Sequence, residues 1–298
     1  MNMATTMDIY LAHFGLHQRP FSLLPDPEFL FWSKAHMRAY TMLEYGLLTR
    51  APITLITGEV GAGKTTLLRH LLDNVAADLT IGLISNAHGD RGELLRWVLQ
   101  ALDQPVAGDD TYVALFSQFE RFLIAEYAAG RRVVLIFDEA QNLTRESLEE
   151  LRMFTNINSG KDELLQLVLV GQPELRDLVR QPGLSQFAQR VASSFHLPRL
   201  DLDSMQAYIE RRLGVAGTTD RIFTTAAIEM IHAATAGVPR LINQLCDLSL
   251  LYAYTDDQLK VTGTTVHQVL GDGVFFGGGA ETDIDAVFHE SQGKSAPQ

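Results

Sequence analysis

Four short runs in the first two-thirds of the chain are apolar at almost every position: Ile53–Thr57, Leu79–Ser85, Val133–Phe137 and Leu164–Val170. Continuous rather than alternating apolarity is the pattern of a strand buried on both faces. Between these runs, over Lys64–Asn74, Gly92–Leu102, Tyr112–Ala129 and Ser147–Asn156, apolar residues recur at helical spacing. A further strand is expected near Phe195-His196-Leu197. Alternating strands and helices predict an α/β domain, a parallel sheet sandwiched by helices.

Near Leu200 the pattern changes, and from Asp203 to Tyr254 it reads as helix alone. Asp203 is a capping candidate with Gln206 three residues on. Gly237 marks the end of a second helix and Pro239 the start of a third. Residues 1–35 are therefore expected to be an N-terminal linker segment, 36–200 the α/β domain and 201–270 a small all-helical domain. Residues 271–298 read as a disordered Gly-rich acidic tail. In that tail Val274-Phe275-Phe276 is the apolar stretch, better explained by packing of a frayed end than by docking. No internal repeat is found.

The α/β pattern acquires chemistry at Gly58-Glu59-Val60-Gly61-Ala62-Gly63-Lys64-Thr65, which fits G-x-x-x-x-G-K-[ST] and sits between a predicted strand and a predicted helix. Glycines let backbone N–H groups turn in around phosphate oxygens, and the helix N-terminus adds a favourable dipole. Gly58 through Thr66 form the candidate nucleotide-binding set. Lys64 supplies a cation to the terminal phosphates, and the Thr65 hydroxyl supplies a Mg²⁺ ligand.

A second signal depends on the first. The apolar run 133–137 ends in Asp138-Glu139. Strand ends of an open parallel sheet meet at one crevice, where ligands bind. Asp138 is placed to hold Mg²⁺, directly or through water, and Glu139 to orient and deprotonate an attacking water.

Other positions fit the same crevice less specifically. Gln172 closes the strand ending at Val170, and Asn86 closes the one ending at Ser85. Gln172 is a candidate partner for the attacking water or the γ-phosphate, and Asn86 for Glu139; a polar turn residue suits either place equally well. Gly237-Val238-Pro239-Arg240 puts Arg240 in the first turn of a helix, in reach of a nucleotide across a domain cleft. Arg190 precedes the last strand and is a candidate for a neighbouring subunit's nucleotide, although a surface arginine is the better reading from sequence alone. His13 and His17 are four apart, but Gly15 interrupts them and no third ligand is near.

Composition narrows the partners. Lys plus Arg number 24 against 36 Asp plus Glu, a net charge of −12. That balance argues against a protein whose main task is gripping phosphate backbone, which calls for a basic surplus. The single cysteine, Cys246, sits in an apolar run and reads as a small buried hydrophobe, which excludes a disulfide scaffold. No apolar stretch approaches the ~18 residues of a spanning helix, and the first residues lack a basic-then-apolar leader. The expected location is cytoplasmic, peripheral to the inner membrane face at most through a partner.

With these residues the chain, over roughly 9–270, resembles the AAA+ ATPases of the ExeA / general secretion pathway protein A type. The likeness is carried by Phe14-Gly15-Leu16, Pro20-Phe21, Pro25-Asp26-Pro27, the phosphate loop, Asp138-Glu139-Ala140-Gln141-Asn142, Gly171-Gln172-Pro173-Glu174-Leu175, Gln189-Arg190 and Gly237-Val238-Pro239-Arg240. The resemblance implies a P-loop NTPase fold with a helical lid, Walker A at Gly58–Thr65 and Walker B at Asp138 and Glu139. It implies sensor 1 at Gln172, sensor 2 at Arg240 and an arginine finger at Arg190. It also implies ATP with Mg²⁺ as cofactors, a homo-oligomer, and a protein partner in assembly or export of an envelope component. The alternative is an ATP-dependent DNA-binding regulator of transposition, since TniB- and MuB-like ATPases share the module. DNA is the less favoured partner on charge. A helicase needs a second motor domain, and no second strand–helix series follows.

Overall fold

The computed structural model describes residues 9–24, 26–29, 31–74, 78–85, 93–159 and 162–276. Asn86 and the tail beyond Phe276 lie outside the described residues. The strands are β1 (Ile53–Gly58), β2 (Leu79–Ser85), β3 (Arg132–Asp138), β4 (Asn158–Ser159), β5 (Asp162–Glu163), β6 (Leu165–Gly171) and β7 (Val191–Leu197). Five of them make one all-parallel sheet in the order β2-β3-β6-β1-β7. The four predicted apolar runs are thus strands, with ends shifted by a residue or so. The hairpin of β4 and β5 is not predicted, because two-residue polar strands carry no periodic signal.

Burial follows position in the sheet. The central strands β1 and β6 are buried at every residue, and β3 at all but its first. The edge strands β2 and β7 are covered unevenly. β3 and β1 are not neighbours; β6 lies between them, with Phe137 opposite Leu169 and Thr57 opposite Gly171. This register brings the carboxyl ends of β1, β3 and β6 level along one edge.

The helices with this sheet are α1 (Lys34–Leu48), α2 (Lys64–Asp73), α3 (Glu93–Ala101), α4 (Tyr112–Ala128), α5 (Arg145–Phe154), α6 (Pro173–Val179) and α7 (Ser185–Ala188). Thr111 caps α4 by accepting from the Ala114 N–H, and Thr144 caps α5 by accepting from the Ser147 N–H. One hydrophobic core joins Leu95, Leu99, Phe119, Leu151, Phe154 and Phe187 to the strand residues Leu135, Leu167 and Leu169.

The chain divides into two compact units: Lys34–Glu59 with Leu67–Leu197, and Met1–Ser33 with Val60–Thr66 and Pro198–Gln298. The second contains α8 (Leu202–Ala216), α9 (Thr225–Thr235), α10 (Pro239–Thr255) and α11 (Gly263–Gly271). Asp201, not Asp203, caps α8: its extended backbone lets the carboxylate accept from the Ser204 N–H at 2.8 Å. Asp203 lies inside the first turn, where its charge suits the helix dipole. Ala236 and Gly237 end α9 with φ of 48° and 75°, and Pro239 opens α10 as expected. Cys246 is fully buried, and burial pushes its thiol well above the usual range.

The N-terminal segment is not the linker that the sequence suggests. Tyr10, Leu11, Phe14, Leu16, Phe21 and Phe29 are buried in the helical unit's core with Met205, Ile209, Ile231, Leu245 and Leu250. Buried Arg212 on α8 ties this strap down: it donates to the carbonyls of Pro20 and Ser22 and to the Tyr208 hydroxyl, and lies over the Phe29 ring 4.7 Å from its centre. Asn243 on α10 also donates to the Ser22 carbonyl, and Asp247 accepts from Tyr10 and Arg19. An aromatic-rich segment held by side chains, with only a three-residue 3-10 turn at Pro27–Phe29 among its described residues, has no period to read. Among the described residues, no helix is long and apolar enough to cross a membrane.

Candidate nucleotide site

β1 runs straight into the predicted phosphate loop. Gly61 and Gly63 both adopt positive φ, 77° and 92°, which turns successive N–H groups toward one side of the loop. Ala62 between them is buried, Val60 is half exposed, and Lys64 is the first residue of α2 and only 6% exposed. Thr65 and Thr66 follow in the first turn of that helix. A side chain at position 61 would have its Cβ 2.3 Å from the Cβ of Arg240, so the loop is glycine where the first turn of α10 lies against it. Arg240 itself is exposed, one residue after the Pro239 that opens α10.

The acidic end of β3 is more tightly organised than its sequence shows. Asp138 is the last strand residue and is 8% exposed. Glu139 follows with φ 56° and ψ 37°, a left-handed backbone that is strained for a residue with a side chain. Its N–H donates to Asp138 Oδ1 at 3.0 Å. Two amides converge on Glu139 Oε2: Gln141 Nε2 donates at 2.6 Å and Gln172 Nε2 at 3.4 Å. Gln141 Oε1 in turn accepts from the Gln172 backbone N–H at 3.0 Å. Gln172 sits between β6 and α6, with extended backbone and Pro173 as the first helical residue.

Gln172 is thus brought to Glu139, the contact that the sequence reading gives to Asn86, which lies outside the described residues. Gln141 is the residue that sequence reasoning passes over, although it stands in the same acidic box. Gly171 makes room for it, since a Cβ there would lie 2.9 Å from Gln141 Oε1.

Arg190 is elsewhere. Its guanidinium donates to the Thr155 carbonyl at 3.0 Å and to the Thr155 hydroxyl at 2.7 Å, and also to Asn156 Oδ1. It therefore holds the C-terminus of α5, where a cation suits the helix dipole. His13 contacts the Gln258 carbonyl at 3.0 Å and the ring of Tyr254 edge-on, and no group of three or more metal-ligating side chains occurs among the described residues.

The loop and the acidic end suit a Mg-nucleotide on chemical grounds. Glycines at positive φ make an anion cradle. The hydroxyl of Thr65 and the carboxylate of Asp138 are hard oxygen donors of the kind Mg²⁺ takes.

Residues 48–179 match the AAA domain family. The chain is 40% identical over 253 residues to general secretion pathway protein A of Aeromonas hydrophila, a match covering 85% of this chain and 46% of that protein. The chain therefore spans about half the length of that relative. Cdc6p from Pyrobaculum aerophilum is similar in structure, with a TM-score of 0.64 at 16% identity over 85% of this chain and 72% of the other. Drosophila ORC, solved bound to DNA, has a TM-score of 0.63 at 18% identity over 92% of this chain and 68% of that chain.

Proposed function

We propose that this chain, whose fold is the AAA+ P-loop NTPase fold with a C-terminal helical region, binds ATP with Mg²⁺ and hydrolyses it. One observation carries the reading. Lys64 is a buried cation at the N-terminus of α2, behind two left-handed glycines. A helix N-terminus favours an anion, the glycines turn further N–H groups to the same side, and Lys64 adds a cation there. A polyphosphate is the anion that suits this gathering of N–H dipoles and positive charge.

The remaining roles follow from the side chains. The backbone of Gly58 to Thr66 cradles the phosphates, and Lys64 neutralises them. Thr65 and Asp138 hold Mg²⁺, which supplies charge neutralisation on the phosphate oxygens. Glu139 orients a water and takes its proton. Gln172 senses the γ-phosphate, and Arg240 couples the nucleotide to the helical lid. The family resemblance supports a homo-oligomer, in which Arg190 would leave Thr155 and Asn156 to serve a neighbouring copy. The similarity to general secretion pathway protein A supports work in assembly or export of an envelope component, on the cytoplasmic side of the membrane through a protein partner.

The test separates binding from turnover. Lys64→Ala is expected to weaken binding of a fluorescent ATP analogue at least 100-fold. Glu139→Gln is expected to bind normally and to lose hydrolysis by ~10²–10⁴-fold, the range for removal of a general base. Unchanged affinity in the first variant, or wild-type turnover in the second, refutes the assignment.

A further inference from the structure

Beyond the residues given roles above, we infer that Gln141 is a positioning residue that aims the Glu139 carboxylate for water activation and ties it to the end of β6. The inference rests on the hydrolytic reading of the site. Glu139 sits on a strained left-handed backbone directly after the strand, and the direction of its carboxylate is set by the groups that bond it. Freedom at the side chain is costly for a general base, because a shift of ~1 Å in a reacting group costs on the order of 10²-fold in rate.

Gln141 removes that freedom. Its Nε2 donates to Glu139 Oε2 at 2.6 Å, which leaves Oε1 as the oxygen without a protein hydrogen bond among the described residues. A water's proton goes to that second oxygen. The same amide is used at its other end, where Oε1 accepts the Gln172 N–H at 3.0 Å. One planar side chain therefore links the base to the backbone of the residue that caps α6. A displacement of Gln172 at the end of β6 reaches the Glu139 carboxylate through this amide.

The local sequence is built to admit it. Gly171 faces the Gln141 side chain, and any Cβ at 171 would also approach the Gln141 backbone nitrogen to 3.1 Å and Leu175 Cδ2 to 2.8 Å. Residues Ala140–Asn142 form a single 3-10 turn, which points position 141 back toward 139. Gln fits because it alone offers a donor and an acceptor at that length. Glu offers no donor, and Met offers neither.

Gln141→Met keeps the volume and removes both hydrogen bonds. In the full-length chain it is expected to lower kcat for ATP hydrolysis 10- to 100-fold while affinity for a fluorescent ATP analogue stays within twofold. Placed in the Glu139→Gln background, it is expected to change the residual single-turnover rate by less than twofold, since the carboxylate it aims is gone. A merely structural Gln141 costs the same in both backgrounds. Gln141→Glu, nearly isosteric, carries the same expectation and decides the matter should the Met variant fail to fold. Wild-type kcat in Gln141→Met alongside an inactive Glu139→Gln overturns the positioning role and leaves the hydrolytic reading standing. Full turnover by Glu139→Gln overturns that reading and this inference with it.

Discussion

At the scale of single residues, what could be read from the sequence depends on how local the cause is. Gly237 illustrates the readable kind: a glycine followed by Val238 and Pro239 announces a helix end and a new start. The structure adds a reason that is not local. A Cβ at 237 would lie 1.9 Å from the Leu200 carbonyl oxygen, and φ there is 75°. Gly130 has nearly the same φ, 76°, with nothing within 4 Å of its would-be Cβ. Gly130→Ala is therefore expected to cost only the backbone strain, ~1 kcal/mol. Gly237→Ala must also displace backbone, and is expected to cost more than ~3 kcal/mol. Urea unfolding of the two variants checks the ordering; equal losses would show that the Leu200 contact is not a constraint. Gln141 is the unreadable kind. Its partners are one neighbour two residues away and one backbone group thirty-one residues on, brought close only by strand pairing.

Among elements, strands were easier to read than their attachments. Central strands carry continuous apolarity because both faces are covered, and that signal survives in sequence. The fastening of α4 to the sheet does not. Glu126, near the end of α4 and 8% exposed, accepts from Arg131 and from the Thr80 hydroxyl on β2. The Arg131 hydrogen bond, with help from Thr80, holds the Glu126 carboxyl below the usual carboxylate range despite its burial. A lowered folded value means the stabilisation is complete above the unfolded value of ~4.3 and is lost as pH falls through the folded one. Glu126→Gln is accordingly expected to be less stable than wild type by about 1–2 kcal/mol at pH 7, and the deficit is expected to shrink at pH 3, below the unfolded value. Urea midpoints at the two pH values provide the measurement; a deficit undiminished in acid would mean packing, not charge, is at stake. Arg131 and its neighbour Arg132 are both engaged in ion pairs, with Glu126 and Asp78.

For the whole molecule, the organisation of the chain departs most from its linear pattern at the N-terminus. Residues before α1 have no helical or alternating period, so they read as a linker, yet they belong to the unit formed by α8 to α11. The distinction makes opposite predictions for truncation. A linker can be removed at no cost to folding. The strap instead supplies Tyr10, Leu11, Phe14, Leu16, Phe21 and Phe29, none more than 7% exposed. At roughly 1.5–3 kcal/mol for each large apolar side chain taken from water, their loss rivals the 5–15 kcal/mol that typically separates folded from unfolded domains. It would also leave Arg212 buried without the Pro20 and Ser22 carbonyls. Deleting residues 1–29 is therefore expected to abolish cooperative unfolding of the helical unit and to expose surface that binds a hydrophobic dye. Phe21→Ala, at a residue 1% exposed, offers the milder form of the test, with an expected loss of ~3–5 kcal/mol. An unfolding midpoint that the deletion leaves unchanged would return the segment to the status of a linker. The same experiment reports on the proposed nucleotide site, because loop residues 60–66 belong to the strap's own unit. A folded truncated chain that still bound the ATP analogue with wild-type affinity would show that the strap contributes nothing to holding that loop.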